Sequence, residues 1–260
     1  MFQNKMVTPA TPERVFALCK LIEKQPMTSS ELKERFEPSF LEQKTAYFSD
    51  YRTAAEELHL ISTIDNTISL TVSPESVANI QSMRQYINGI LSEFSEGQFY
   101  RVTAEYFAMG KKVLEGEQNI VNLAAQLRQN LNMPSIDAPA MRAWRFWVSF
   151  LGFGYLQNMF FIPNPGVFLW DIIQKIDYNK NQLYSFSEFM DKIQSLCSII
   201  LGDDYSSKQL NYGFSNGLRM LHDKKKIKLE HILDQSDIWS LYPLSAHSIT
   251  GTVTNITILQ

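Results

Sequence analysis

The sequence predicts a mainly α-helical protein with small β-wings, arranged as tandem winged-helix units joined by a linking helix. Three observations lead there. Short capped helical patterns recur along the chain, alternating apolar strands follow the longer helices, and turn-forming residue pairs separate the strands. The boundaries fall into a first unit over residues 1–73, a linking helix over 74–97, a second unit over 98–176 and a third over 177–260.

In the first unit, Thr11-Pro12-Glu13 has the form of a helix start: a capping hydroxyl, a first-turn proline and an acid facing the dipole. Val15, Leu18, Cys19 and Ile22 then recur at helical spacing until Pro26 ends the helix. Thr28-Ser29-Ser30 caps a short second helix through Leu32 and Phe36, stopped at Pro38, and a third helix is expected over Glu42 to Leu58. Strands over Leu60 to Ile64 and Thr67 to Val72, turned at Asp65-Asn66, supply the wing. Ser73-Pro74-Glu75-Ser76 opens the linking helix, whose apolar positions are Val77, Ile80, Met83, Ile87 and Leu91.

The second unit repeats the order, with helices near Phe99 to Leu114, Glu117 to Leu131 and Ala140 to Phe150. Its wing is expected from Met159 to Pro163 paired with Gly166 to Leu169 across Asn164-Pro165. The third unit starts at the cap Ser185-Phe186-Ser187-Glu188, whose helix buries Phe189, Ile193, Leu196 and Ile200. Asn211 to Leu221 follows as a helix, then Ile227-Lys228-Leu229, Ile238 to Tyr242 and a last strand over Ile249 to Leu259; its middle helix has no clear signature.

The totals narrow the function classes. Net charge is −3, so nucleic acid contact requires a local basic patch rather than a polycationic chain. Cys19 and Cys197 sit in apolar helical patterns and are expected as buried free thiols. Met1 to Met6 lacks the basic and apolar regions of a signal peptide, and the apolar stretch from Ala143 to Trp170 is broken by Arg145 and two prolines, so a cytoplasmic chain without a membrane span is expected. His59, His222, His231 and His247 have no ligand spacing, and Asp203-Asp204 and Glu56-Glu57 lack a third carboxylate. Gly152-Phe153-Gly154 follows a helix rather than a strand and has no third glycine at the required offset. No catalytic residue, metal site or cofactor is therefore expected.

Trp144 to Pro165, with Trp147, Leu151-Gly152-Phe153-Gly154 and Pro163-Asn164-Pro165, resembles the second unit of the bacterial DpdG-like proteins. Leu218 to Leu229, continuing through Asp237-Ile238-Trp239 to Val253-Thr254-Asn255-Ile256-Thr257-Ile258, resembles their C-terminal unit. Those proteins belong to gene clusters that place 7-deazaguanine derivatives in DNA and carry restriction genes. The resemblance implies a part in DNA modification or phage defence, and it brings no catalytic residues with it.

Two stretches are candidate DNA contacts. From Tyr205 to Leu229 the cations Lys208, Arg219, Lys224, Lys225, Lys226 and Lys228 oppose Asp223 alone, with Lys224 to Lys226 at the turn between helix and wing. In the helix expected over Glu42 to Leu58, Gln43, Lys44, Thr45, Ser49 and Arg52 share a face suited to reading bases, against the four acids Glu42, Asp50, Glu56 and Glu57. Trp144, Phe146, Trp147 and Phe150 form an aromatic group that is either core or a hydrophobic interface. The expected function is a non-enzymatic, DNA-associated adaptor subunit of a bacterial DNA-processing or phage-defence assembly. Its partners are other chains of a multi-subunit complex and the DNA backbone, with homodimerisation open. The alternatives are a dimeric winged-helix transcriptional regulator and a tandem winged-helix accessory subunit of a condensin-like complex.

Overall fold

The computed structural model describes all residues except 1, 4, 42–44, 46, 116–118, 159 and 203, and the backbone alone at 115 and 204. The protein is mainly helical with small antiparallel sheets. Among the described residues, no helix is long and apolar enough to cross a membrane.

The N-terminal segment runs α1 (Pro12–Ile22), β1 (Met27–Thr28), α2 (Ser29–Phe36), α3 (Tyr47–Glu57), β2 (Ile61–Ile64) and β3 (Thr67–Leu70). Thr11 accepts from the Arg14 amide at the start of α1, and Thr28 with Glu31 forms a reciprocal capping box on α2. Asp65 and Asn66 both have positive φ, the twist that lets a two-residue turn join β2 to β3. The sheet order is β1-β3-β2, with β1 an extra strand that the alternation pattern is too short to reveal.

Two 3-10 turns, Pro74–Val77 and Leu91–Phe94, flank α4 (Ile80–Ile90). The helix is more than a connector. Arg84 Nε and Nη2 donate to Asp171 at 2.7 and 3.0 Å, and Asn88 Nδ2 donates to both Asp171 and the Leu151 carbonyl. Asp171 lies on α9 (Gly166–Ile173), so α4 is stapled to a helix far along the chain.

The middle segment comprises α5 (Gln98–Ala108), α6 (Lys112–Glu115), α7 (Ile120–Leu131), α8 (Ala138–Phe150) and a hairpin of β4 (Gly154–Gln157) with β5 (Phe160–Pro163). Gly110, in the left-handed region, splits the single helix expected over Phe99 to Leu114. The expected wing is corrected: β5 pairs back onto β4, and Gly166 to Leu169 belong to α9 rather than a strand. The run from Gly166 to Ile173 is apolar almost throughout, and periodicity alone cannot tell a buried strand from a buried helix. The aromatic group divides: Trp144 and Trp147 are buried with Phe153, Phe161 and Phe168, Phe150 is half-buried against them, and Phe146 is exposed. The surplus aromatic surface is covered by the N-terminus, where Phe2 packs edge-on against Trp147, and by α9, whose Phe168 stacks on Phe153 at 4.4 Å. Trp147 Nε1 donates to the Ala10 carbonyl at 2.6 Å.

The C-terminal segment contains β6 (Leu183–Ser185), α10 (Phe186–Ile193), α11 (Ser198–Leu201), α12 (Asp204–Ser207), α13 (Tyr212–Asp223), β7 (Ile227–Glu230), β8 (Trp239–Ser240), β9 (Thr252–Val253) and β10 (Asn255–Ile258). The last expected strand is thus two short ones with different partners: β9 pairs with β8, and β10 lies between β6 and β7. The order β6-β10-β7 matches β1-β3-β2, and Ser185 with Glu188 repeats the capping box of Thr28 with Glu31 immediately after the first strand.

One junction occurs three times. At the ends of α3, α8 and α13 stand His59, Gly152 and Lys225, each with positive φ. The next amide, of Leu60, Phe153 or Lys226, donates five residues back, to Ala55, Val148 or Leu221. In each case a hairpin strand starts two residues after the left-handed position, at Ile61, Gly154 or Ile227.

Candidate nucleic-acid interface

The six cations expected as one patch meet different fates. Arg219 is 3% exposed, with Nε donating to the Ile249 carbonyl and Nη2 to those of Tyr242 and Thr250. It anchors the excursion between β7 and β10 and is corrected from a phosphate ligand to an internal brace. Lys208 pairs with Asp237 at 2.5 Å, and Lys228 with Glu230 at 2.7 Å. Lys226 lies 4.1 Å from the centroid of the Trp170 ring, where burial and the neighbouring Lys224 charge push its pKa down. Lys224 and Lys225 remain exposed at the helix-to-strand turn. Lys224 and Lys226 also line a cleft of about 510 Å³ with Arg84, Trp170 and Gln174, in which the Arg84 charge is already engaged by Asp171.

The second candidate face fares no better. Gln43 and Lys44 lie outside the described residues. Arg52 is turned inward, with Nε on Glu56 at 3.2 Å and Nη1 on the Ser29 hydroxyl at 3.1 Å. Over its described length α3 holds Asp50, Glu56 and Glu57 against this one paired arginine, a balance that repels phosphate.

The corresponding helix of the C-terminal segment, α13, is enclosed. It packs on α9, β5, β7 and α11, and Gly213, Ser215, Gly217, Leu218 and Arg219 are all buried. Gly217 permits this approach, because a Cβ there would lie 3.0 Å from the Gly166 amide nitrogen.

Helix α8 differs from both. Its charged residues are Arg142 and Arg145, one turn apart, and it contains no acid. Asp137, its N-cap, is occupied by the Ala140 amide and by Lys5 Nζ at 2.6 Å. Arg142 and Phe146 are exposed, whereas Arg145 is half-buried beside Tyr106 and Trp144. Burial, reinforced by the Arg142 charge, pushes the Arg145 pKa down, although a guanidinium so placed remains a cation. In the sequence Arg145 is submerged in an aromatic stripe; the signal that marks it is two arginines at i and i+3 in a helix free of acids.

Elsewhere the titratable groups are structural. Cys19 and Cys197 are free and buried, with the Cys19 thiol pushed up to about 12 by burial. His222 Nδ1 accepts the Leu229 amide at 3.0 Å, and burial lowers its pKa. Among the described residues, no three His, Cys, Asp or Glu side chains are grouped to hold a metal. No family model matches the chain, and no curated protein or solved structure matches it either.

Proposed function

We propose that this chain is a non-catalytic, DNA-associated adaptor subunit of a DNA-processing or defence assembly, built from winged-helix units. The repeated strand order, the repeated capping box and the three equivalent helix-to-hairpin junctions support the winged-helix reading. Fold alone does not assign function. The observation that carries the functional reading is that exposed cations with no acid partner among the described residues stand on two of these helix-to-hairpin elements, Lys224 and Lys225 at the turn after α13 and Arg142 in the second turn of α8, in a chain of net charge −3. Positive charge concentrated at helix-and-hairpin edges suits a phosphate backbone. The resemblance of residues 144–165 and 218–258 to DpdG-like proteins supports placing that contact in a DNA modification or defence setting.

A regulator reading an operator through α3 is disfavoured by the acids on that helix and the pairing of Arg52 with Glu56. Footprinting and salt titration test the reading. An adaptor gives weak binding without a protected site, falling steeply with salt, whereas a protected palindrome identifies a regulator. Absence of binding to any duplex at low salt removes the DNA-associated part of the proposal.

A further inference from the structure

Three helices of this chain enter hairpins through the same junction, and charge and burial separate them. Helix α3 is acidic along its described length, and α13 is covered by α9 and β5. Of the three, α8 alone combines exposed positions with positive charge and no acid along its own length. We propose that α8 is the duplex-DNA-contacting helix of this protein, through the edge formed by Arg142, Arg145 and Phe146. This rests on the DNA-associated reading above and moves its main contact away from the lysine turn.

The three positions follow one another at i, i+3 and i+4, so they occupy one face of the helix. Neither arginine has an ion-pair or hydrogen-bond partner among the described residues, and the two charges reinforce each other. A half-buried guanidinium beside a like charge is stabilised by an arriving anion. Arginine donors in a planar fork match phosphate oxygens and guanine edges, and the exposed Phe146 ring beside Arg145 suits a thymine methyl. The adjoining hairpin from Gly154 to Pro163 carries no charge of its own and exposes Tyr155 and Gln157. By contrast, the lysine turn offers Lys224 and Lys225, while Lys208 and Lys228 sit in surface ion pairs and Lys226 lies over the Trp170 ring.

The test uses fluorescence anisotropy with a labelled random-sequence duplex, and the same single strand, over a salt series. R142Q/R145Q is expected to weaken duplex binding by about tenfold or more and to reduce the slope of log affinity against log salt by nearly two, about 0.9 for each phosphate that is no longer neutralised. Its melting temperature should hold or rise, because the removed charges have no partners among the described residues; a brace would lower it. R142Q alone, at an exposed position, gives about half the change in slope and keeps the test clear of folding effects. Unchanged affinity and slope in R142Q/R145Q, with K224Q/K225Q weakened instead, overturns this assignment and leaves the DNA-associated reading standing. Wild-type protein that binds neither probe ends both. Single-strand binding as tight as duplex binding overturns the duplex assignment. So does a self-association that R142Q/R145Q abolishes while DNA affinity stays the same.

Discussion

The three equivalent junctions make a prediction with opposite signs at the same structural position. Lys225 is exposed and left-handed at φ +53°, where a side chain costs about 1–2 kcal/mol relative to glycine. Lys225→Gly removes that cost but adds about 0.4–1 kcal/mol of freedom to the unfolded chain, so the net gain should be about 0.5–1 kcal/mol. Gly152 occupies the same place at φ +80°, but a Cβ there would lie 2.6 Å from Val167 Cβ and 3.0 Å from the Phe168 amide nitrogen. The Phe168 amide also donates to the Gly152 carbonyl, so α9 cannot back away without losing that bond. Gly152→Ala therefore adds overpacking of about 1–3 kcal/mol to the left-handed cost, for a net loss of about 2–4 kcal/mol. Thermal melts followed by circular dichroism should show Lys225→Gly rising by about 1–4 °C and Gly152→Ala falling by several degrees, at about 2–4 °C per kcal/mol for a chain of this size. A Lys225→Gly protein that melts lower, or a Gly152→Ala protein indistinguishable from wild type, would refute the equivalence of the junctions.

Three further outcomes follow from buried polar groups. Asp171→Asn takes the carboxylate from Arg84 while leaving the guanidinium in place, and urea denaturation should show a loss of about 3 kcal/mol; a change under about 1 kcal/mol would mean that water already screens the pair. Arg219→Met removes the donor shared by Tyr242, Ile249 and Thr250, so amide exchange should accelerate across residues 241–252 before the rest of the chain responds, and uniform acceleration would contradict a local brace. His222 has a folded pKa below its ordinary value near 6.5, so the unfolded chain binds the proton more readily. Its contribution is intact above about pH 6.5 and is lost as pH falls through the folded value. His222→Gln should flatten that decline below about pH 6.5, and an unaltered slope would assign the acid sensitivity elsewhere.

Much of the helix-to-hairpin order is legible in the sequence because its signals are local. Thr11, Thr28 and Ser185 announce helix starts through short-range hydrogen bonds, and Asp65-Asn66 announces a turn through the φ values it tolerates. What the sequence hides is decided by distant packing. Whether Gly166 to Leu169 is strand or helix depends on α4 and α13, which close over it from residues 80–90 and 212–223. Arg219 is one cation in a run of six along the sequence, yet its partners are carbonyls 23 to 31 residues onward, beyond any local pattern. The candidate site is least legible for the same reason: a charge count over Tyr205 to Leu229 cannot see Asp237, which pairs with Lys208, or the Trp170 ring, over which Lys226 lies.

Those distant contacts also constrain how the surfaces act together. Asn88 Nδ2 bridges the Leu151 carbonyl, at the end of α8, to Asp171 on α9, while α9 packs along α13 just before Lys224 and Lys225. The α8 arginines and the lysine turn are therefore carried on elements joined through one buried polar cluster rather than through a flexible linker. Two weak phosphate contacts held at a fixed separation bind as one, because the second engages at the effective concentration set by the first. Loosening the cluster with Asp171→Asn should then reduce affinity for a duplex long enough to reach both patches, while binding of a duplex that reaches only α8 stays near wild type. Equal losses on long and short duplexes would show that the two patches never act on the same DNA.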